Sequence, residues 1–331
     1  MIKSLTAFLI SFVFSVALMP LIIKFFRRKQ ASQTILGYVE NHKEKNGTLT
    51  MGGVVFMITI LVLSFFFLKF SVSWLVCLLV SVFFGVLGLM DDYIKIKFKQ
   101  NLGLKAYQKI IGQVGISIVF AIYVYFSTQG GNIFLPFSEK AIDLGFWIVP
   151  LIVLVMVATT NSVNLTDGLD GLAGNVTNIY LIFFFLILSI LQNNLYLSGE
   201  TGIILQNIED VKTLTMLFVG AILGFLMFNT NKASIFMGDA GSLCLGGFIG
   251  ASASIVGQAL LIPILGFCFV FSAISVILQV VSFKLRRKRI FKMAPFHHHL
   301  QISGLKEPKI VAIYSAVTSA IGVLMVILYL S

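Results

Sequence analysis

Asp91 and Asp92 stand side by side at the end of an apolar run. Two adjacent carboxylates there repel one another and oppose the partial negative charge of a helix C-terminus. Solvation beside Lys95 and Lys97 is one way to tolerate the pair; a metal ion or cationic substrate complex is the other. A second polar stretch runs Asn161-Ser-Val-Asn164-Leu-Thr-Asp167-Gly168-Leu-Asp170-Gly171-Leu172, with no Lys or Arg to balance it. On a helix, Asn161, Asn164 and Asp167 would share one face, with Asp170 extending it. Gly168 and Gly171 would let a ligand approach the backbone closely. The spacing and closing glutamate of a calcium-binding loop are missing. Asp239, in Phe236-Met-Gly-Asp-Ala-Gly-Ser, sits just ahead of a helix start, where backbone N–H groups can face an anion. Finally, Pro295 and Phe296 lead into His297, His298 and His299. Three consecutive residues cannot all face one ion from a regular helix, which speaks against a three-His zinc site. Phosphate donors or a proton relay remain.

This oxygen-rich donor set contains no cysteine and suits Mg²⁺ or Mn²⁺, with substrate phosphates completing the octahedron. It points to metal-assisted phosphoryl chemistry. The chain has no G-x-x-x-x-G-K-S/T loop, so a P-loop ATPase is excluded. Cys77, Cys244 and Cys268 all lie in apolar runs and read as packing residues.

The elements that must position these groups are membrane helices. Of 331 residues 58% are hydrophobic and only 11% charged, against about 25% charged in soluble chains. Apolar runs long enough to cross a core of ~30 Å predict helices over 4–26, 53–70, 72–90, 110–127, 145–160, 176–192, 213–228, 242–257, 259–283 and 310–330. The runs are apolar all round, without the period-two alternation of a transmembrane barrel. No interval between them could hold a separate soluble domain. The expected architecture is an all-α polytopic membrane protein, residues 1–331 forming a single transmembrane domain.

Sidedness follows from charge. The segments after the first, third, fifth, seventh and ninth runs hold 20 of the 24 Lys and Arg residues, leaving Lys3, Lys69, Lys140 and Lys212 opposite. The positive-inside rule makes the rich side cytoplasmic and puts both termini outside. No cleaved signal peptide is expected, because the positive cluster follows the first apolar run. The net charge of +11 thus reports topology and not nucleic-acid binding. Eight of the 13 acids and all four histidines fall on the cytoplasmic side. A carrier would keep ionisable groups near the bilayer midplane, so the asymmetry favours an enzyme working at the cytoplasmic face.

Five motifs follow in order on that side: Gly47-Thr-Leu-Thr50-Met-Gly-Gly53, Asp91-Asp92, Asn164 through Ala173, Phe236 through Asp239, and Pro295 through His299. In them the chain resembles the polyprenyl-phosphate N-acetylhexosamine-1-phosphate transferases, over essentially its whole length. The histidine triplet and the Thr-Met-Gly-Gly run favour members that handle an N-acetylmuramoyl-pentapeptide. A UDP-GlcNAc:undecaprenyl-phosphate transferase is the alternative within the family; a non-catalytic lipid or nucleotide-sugar carrier is one from a different class.

The resemblance implies Mg²⁺-dependent transfer of phospho-MurNAc-pentapeptide from UDP-MurNAc-pentapeptide to undecaprenyl phosphate, giving lipid I and UMP in peptidoglycan synthesis. It implies a homodimer in the bacterial inner (cytoplasmic) membrane, with ten helices in contact with the lipid bilayer. It implies Asp239 as the Mg²⁺ ligand, Asp91 and Asp92 near the reacting phosphates, and His298 among the catalytic groups. Lys45, Thr50, Lys109, Asn164, Asp170, Asn229, His297 and His299 match substrate-binding positions. Phe236, Gly171 and Leu172 match a uridine pocket, where an aromatic face under uracil is physically apt. Leu49 and Lys232-Ala-Ser depart from the family's usual prolines, a matter of loop geometry. The acceptor phosphate, with a second pKa near 6, is already largely a dianion at neutral pH and has little need of a general base. Direct in-line transfer is therefore expected, with a covalent aspartyl phosphate as its rival.

Overall fold

The computed structural model describes residues 1–29, 47–98, 103–127, 131–137, 141–199 and 202–331. Twelve α-helices lie among them: α1 (Ile2–Arg28), α2 (Val54–Phe67), α3 (Val72–Lys97), α4 (Ala106–Ser127), α5 (Ile148–Thr166), α6 (Leu172–Leu197), α7 (Ile203–Asn229), α8 (Gly238–Ile255), α9 (Ile262–Leu265), α10 (Phe267–Arg286), α11 (Phe296–Ile302) and α12 (Glu307–Leu330). A hairpin of β1 (Asn132–Phe134) and β2 (Ala141–Asp143) lies between α4 and α5. The protein is an all-α polytopic membrane protein, and each expected apolar segment contains a helix.

Several helices outrun or divide the expected segments. α3 continues seven residues beyond 90, α5 reaches Thr166, and α7 begins at Ile203. The 259–283 segment is broken at Gly266 into α9, with Pro263 in its first turn, and α10. Among the described residues, eight helices are long and apolar enough to cross a membrane. α2, at 14 residues, is too short for that set, and α8 also falls outside it.

α8 is the axis of one half of the bundle, packed chiefly against α3 and α5. Its residues from Ala240 to Ile255 are all buried. Small side chains let neighbours come close, as is usual between membrane helices: a Cβ on Gly246 would lie 2.5 Å from the Thr160 Cα. α7 plays the same part in the other half, enclosed by α1, α2 and α6. The rim of α1, α4, α10 and α12 turns Val13, Val119, Ile277 and Leu324 outward, apolar faces that lipid accommodates without loss.

Candidate active site

α3 carries Asp91 and Asp92 past the expected helix end and buries both, at 3% and 4% exposure. They are not solvated carboxylates. Opposite them is the first turn of α8. Gly88 allows this approach, because a Cβ there would meet the Asp239 carbonyl oxygen at 2.1 Å. The N–H of Ala240 donates to Asp92 Oδ2 at 3.0 Å. The anion facing the α8 N-terminus is therefore the protein's own carboxylate. Asp91 Oδ1 accepts from the Leu104 N–H at 2.8 Å.

Asp239 receives donors from three helices. Its Oδ2 accepts from Lys95 of α3 at 3.1 Å and Lys109 of α4 at 2.8 Å. Its Oδ1 accepts from Asn164 Nδ2 of α5 at 2.7 Å, and Asn164 also meets Ser242 Oγ at 2.8 Å. Lys95 forms a further ion pair with Asp91. One oxygen from each of Asp91, Asp92 and Asp239 lies within 4.8 Å of the others. Two ammonium groups thus face three carboxylates, with Asp91 Oδ2 held by Lys95. Hard oxygen donors at this spacing, with an excess of negative charge, fit a divalent cation.

The Asn/Asp stretch does not form one helical face. α5 ends at Thr166, so Asn161 and Asn164 lie on the helix while Asp167 and Asp170 lie in the turn that follows. The helical condition for a shared face holds only as far as Thr166, since Gly168 and Gly171 favour a turn. Asn161 points to Gln113 of α4 and not to the carboxylates. Burial first, then Asp239, Asp92 and Asp170, push the Asp167 carboxyl up to about 8. Asp170 Oδ2 accepts from the Ala233 N–H at 3.1 Å.

Gly171 takes φ +74°, a conformation that favours glycine. Its N–H donates to Asn229 Oδ1 at 3.1 Å, and Asn229 Nδ2 donates to the Ile235 carbonyl at 2.8 Å. Buried Asn229 therefore fastens the α5–α6 turn to the α7–α8 connection. Leu172 is fully buried at the start of α6. Residues 49–53 run beside 235–237: the Phe236 N–H donates to the Leu49 carbonyl at 2.7 Å, and the Gly52 N–H to the Phe236 carbonyl at 2.8 Å. Thr50 is buried there and Phe236 is half-buried. A Cβ on Gly238 would meet Asp92 Oδ2 and Thr50 Oγ1, which places Thr50 beside the carboxylates.

The three histidines lie on α11 and diverge. His297 is buried, its ring nitrogens have no hydrogen-bond partner, and it abuts Gly168. Gly168 is thus approached by an imidazole of the protein, where a ligand had been the expectation. Burial, followed by neighbouring His298, pushes the His297 pKa down to about 3, so the ring is neutral. His298 Nδ1 meets Gln301 Oε1 at 3.2 Å, while its Nε2 also faces Gly168. His299 turns elsewhere: its Nδ1 accepts from the Lys292 N–H at 3.1 Å and its ring stacks on Phe296. Lys45 lies outside the described residues. Lys95 and Ser242 were not among the expected site residues. Lys95 was legible from its spacing, three and four residues after the paired aspartates on one helix.

Residues 74–258 match the glycosyl transferase family 4. The phospho-N-acetylmuramoyl-pentapeptide-transferase of Clostridium novyi is 42% identical over 317 residues, covering 95% of this chain and 92% of the relative. Those of Halalkalibacterium halodurans and Clostridioides difficile are 40% identical, each covering 94% of this chain and 92% of the relative. A membrane-embedded transferase is what the bundle, its carboxylate cluster and these similarities define. The chain belongs to glycosyl transferase family 4 and, within it, to the group of these pentapeptide transferases.

Proposed function

We propose that this chain transfers phospho-MurNAc-pentapeptide from UDP-MurNAc-pentapeptide to undecaprenyl phosphate, releasing UMP and leaving lipid I at the cytoplasmic face of the bacterial inner membrane. The observation that carries this reading is the convergence of Asp91, Asp92 and Asp239 with Lys95, Lys109 and Asn164 at one end of the bundle. An oxygen of the acceptor phosphate attacks the sugar-linked phosphorus, and the bond from that phosphorus to the UMP oxygen breaks. One pyrophosphate linkage forms as another is lost, so the reaction is close to thermoneutral and reversible by added UMP.

Asp91, Asp92 and Asp239 would hold Mg²⁺, which when bound supplies positive charge to the phosphoryl oxygens. The chain's own groups do the rest. Lys95 and Lys109 are placed to offset charge on the nucleotide phosphates, and Asn164 fixes the Asp239 carboxylate. Neutral His297, with His298 beside it, stands by the Asp167–Gly171 turn, and both are placed as donors to substrate oxygens in this reading. Phe236, beside Leu49 and Gly52, offers an aromatic face for uracil. The acceptor arrives as a dianion, so transfer is direct and no side chain needs to take its proton.

The test is release of UMP by purified protein given UDP-MurNAc-pentapeptide, undecaprenyl phosphate and Mg²⁺. Asp239→Asn should lower that rate by about 10³-fold or more. UDP-GlcNAc accepted in place of the pentapeptide donor would move the chain to the other branch of the family. Binding of both substrates without UMP release would make it a carrier. Phosphate trapped on Asp91 or Asp92 with the donor alone would overturn direct transfer.

A further inference from the structure

Gln113 and Asn161 form an amide pair that the chemistry above leaves unused. Asn161 Nδ2 donates to Gln113 Oε1 at 2.7 Å, and Gln113 Nε2 returns to Asn161 Oδ1 at 3.4 Å. Asn161 Nδ2 also reaches the Val157 carbonyl of its own helix at 2.7 Å. Gln113 is fully buried. α4 and α5 are antiparallel neighbours, and their facing residues here form two rungs. The deeper rung is Gln113 with Asn161. One turn nearer the site on α4 is Lys109, and one turn nearer on α5 is Asn164. These two meet through a single carboxylate, Lys109 on Asp239 Oδ2 and Asn164 on Asp239 Oδ1.

We propose that the Gln113–Asn161 amide pair is a positioning device that sets the register of α4 against α5, so that Lys109 and Asn164 grip the two oxygens of Asp239 together. The physical ground is directional. Apolar contacts between helices are non-directional and can re-form in a neighbouring register, whereas two opposed amides in a buried setting lose their bonds when displaced by an ångström. The second rung inherits the alignment of the first. A slip at Asp239 would leave Lys109 unable to share that carboxylate with Asn164, and the acidic cluster would lose one of its two counter-charges. The proposal rests on the transferase reading given above, since it assigns Lys109 and Asn164 their place in that reaction.

The experiment uses full-length protein in detergent or nanodiscs, measuring kcat, KM for UDP-MurNAc-pentapeptide, the Mg²⁺ concentration for half-maximal rate, and thermal unfolding. Gln113→Met keeps the length and apolar bulk but removes the amide. We expect kcat to fall about tenfold and the Mg²⁺ requirement to rise, with unfolding temperature little changed. Combined with Lys109→Ala, Gln113→Met should add little further loss, because both act through one contact. The reciprocal variant, Gln113→Asn with Asn161→Gln, should recover much of the rate. If Gln113→Met does not fold, Gln113→Asn, which withdraws the amide by one methylene, is read in the same way. An unchanged kcat, losses that multiply with those of Lys109→Ala, or a rate loss that only tracks thermal stability would overturn the proposal. A wild-type protein that releases no UMP would overturn the transferase reading instead, and with it the role given to Lys109.

Discussion

The imidazole of His297 occupies the space that a side chain on residue 168 would need. A Cβ built on Gly168 falls 2.2 Å from His297 Nε2 and 3.0 Å from His298 Nε2. Gly168→Ala must therefore push the histidines away from the Asp167–Gly171 turn. We expect kcat for UMP release to drop by about tenfold or more, while circular dichroism shows the helices retained. Full activity in this variant would remove His297 and His298 from the reaction.

Lys95 draws three carboxylates together, contacting Asp91 and Asp239 and lying 3.9 Å from Asp92. Removing one partner from a buried charge cluster destabilises by roughly 3–5 kcal/mol. Lys95 is partly exposed, and solvent screening should bring the loss below that figure. Lys95→Met should unfold several degrees lower than wild type in EDTA, and added Mg²⁺ should raise its unfolding temperature by more than it raises wild type. Equal Mg²⁺ shifts in the two proteins would contradict this account of the cluster.

His297 makes stability pH-dependent. Its folded pKa lies at about 3, below the ordinary imidazole value of about 6.5. An unfolded chain takes up this proton below pH 6.5, whereas the folded chain resists until near pH 3. The stabilisation is thus complete above 6.5 and is lost as the pH falls between those values, by about 1.4 kcal/mol per pH unit. Thermal unfolding from pH 7 to 4.5 should fall less steeply in His297→Gln, which carries no titrating group. Parallel curves would show that His297 is protonated in the folded protein.

Asn229 joins two loops that share one further described hydrogen bond, from the Ala233 N–H to Asp170 Oδ2. Asn229→Ala strands the Gly171 N–H and the Ile235 carbonyl, each a loss of about 1–3 kcal/mol if buried and unmet. The turn at Gly171 and the Phe236 segment should then drift apart. We expect KM for the UDP-linked donor to rise several-fold with kcat less affected, checked by steady-state kinetics.

The bilayer imposes long apolar runs on any helix that crosses it, so each expected apolar segment holds a helix, although only eight of the described helices are long and apolar enough to cross. The helix ends could not be read from the chain. Asp91 through Lys97 lower the hydropathy of α3, yet the helix continues, because Lys95 lies over Asp91 and Asp239. At the other end of the bundle, Glu209, Asp210 and Lys212 hid the first turns of α7. They are held by partners distant in sequence, Gln192 for Lys212 and Ser71 for Asp210. Within the site, residue types revealed which groups could bind a cation, but not which pairs would meet. Asn161 had the right spacing to join Asn164 and instead faces α4, because helix rotation, invisible in a list of polar residues, decides the partner. His299 was grouped with its neighbours for a similar reason, although three successive residues on α11 must point three ways.

The small residues that let α8 sit at the centre of its half of the bundle also bear on the order of synthesis. α8, at 18 residues and rich in Gly and Ser, is less apolar than the eight helices suited to crossing a membrane, so it is poorly suited to entering lipid alone. Its main neighbours, α3 and α5, both precede it in the chain. When α8 leaves the ribosome, its receptacle has already been made. Chain order thus supplies a protein-lined berth for a segment ill suited to insert unaided, and the last acid of the cluster, Asp239, arrives with it.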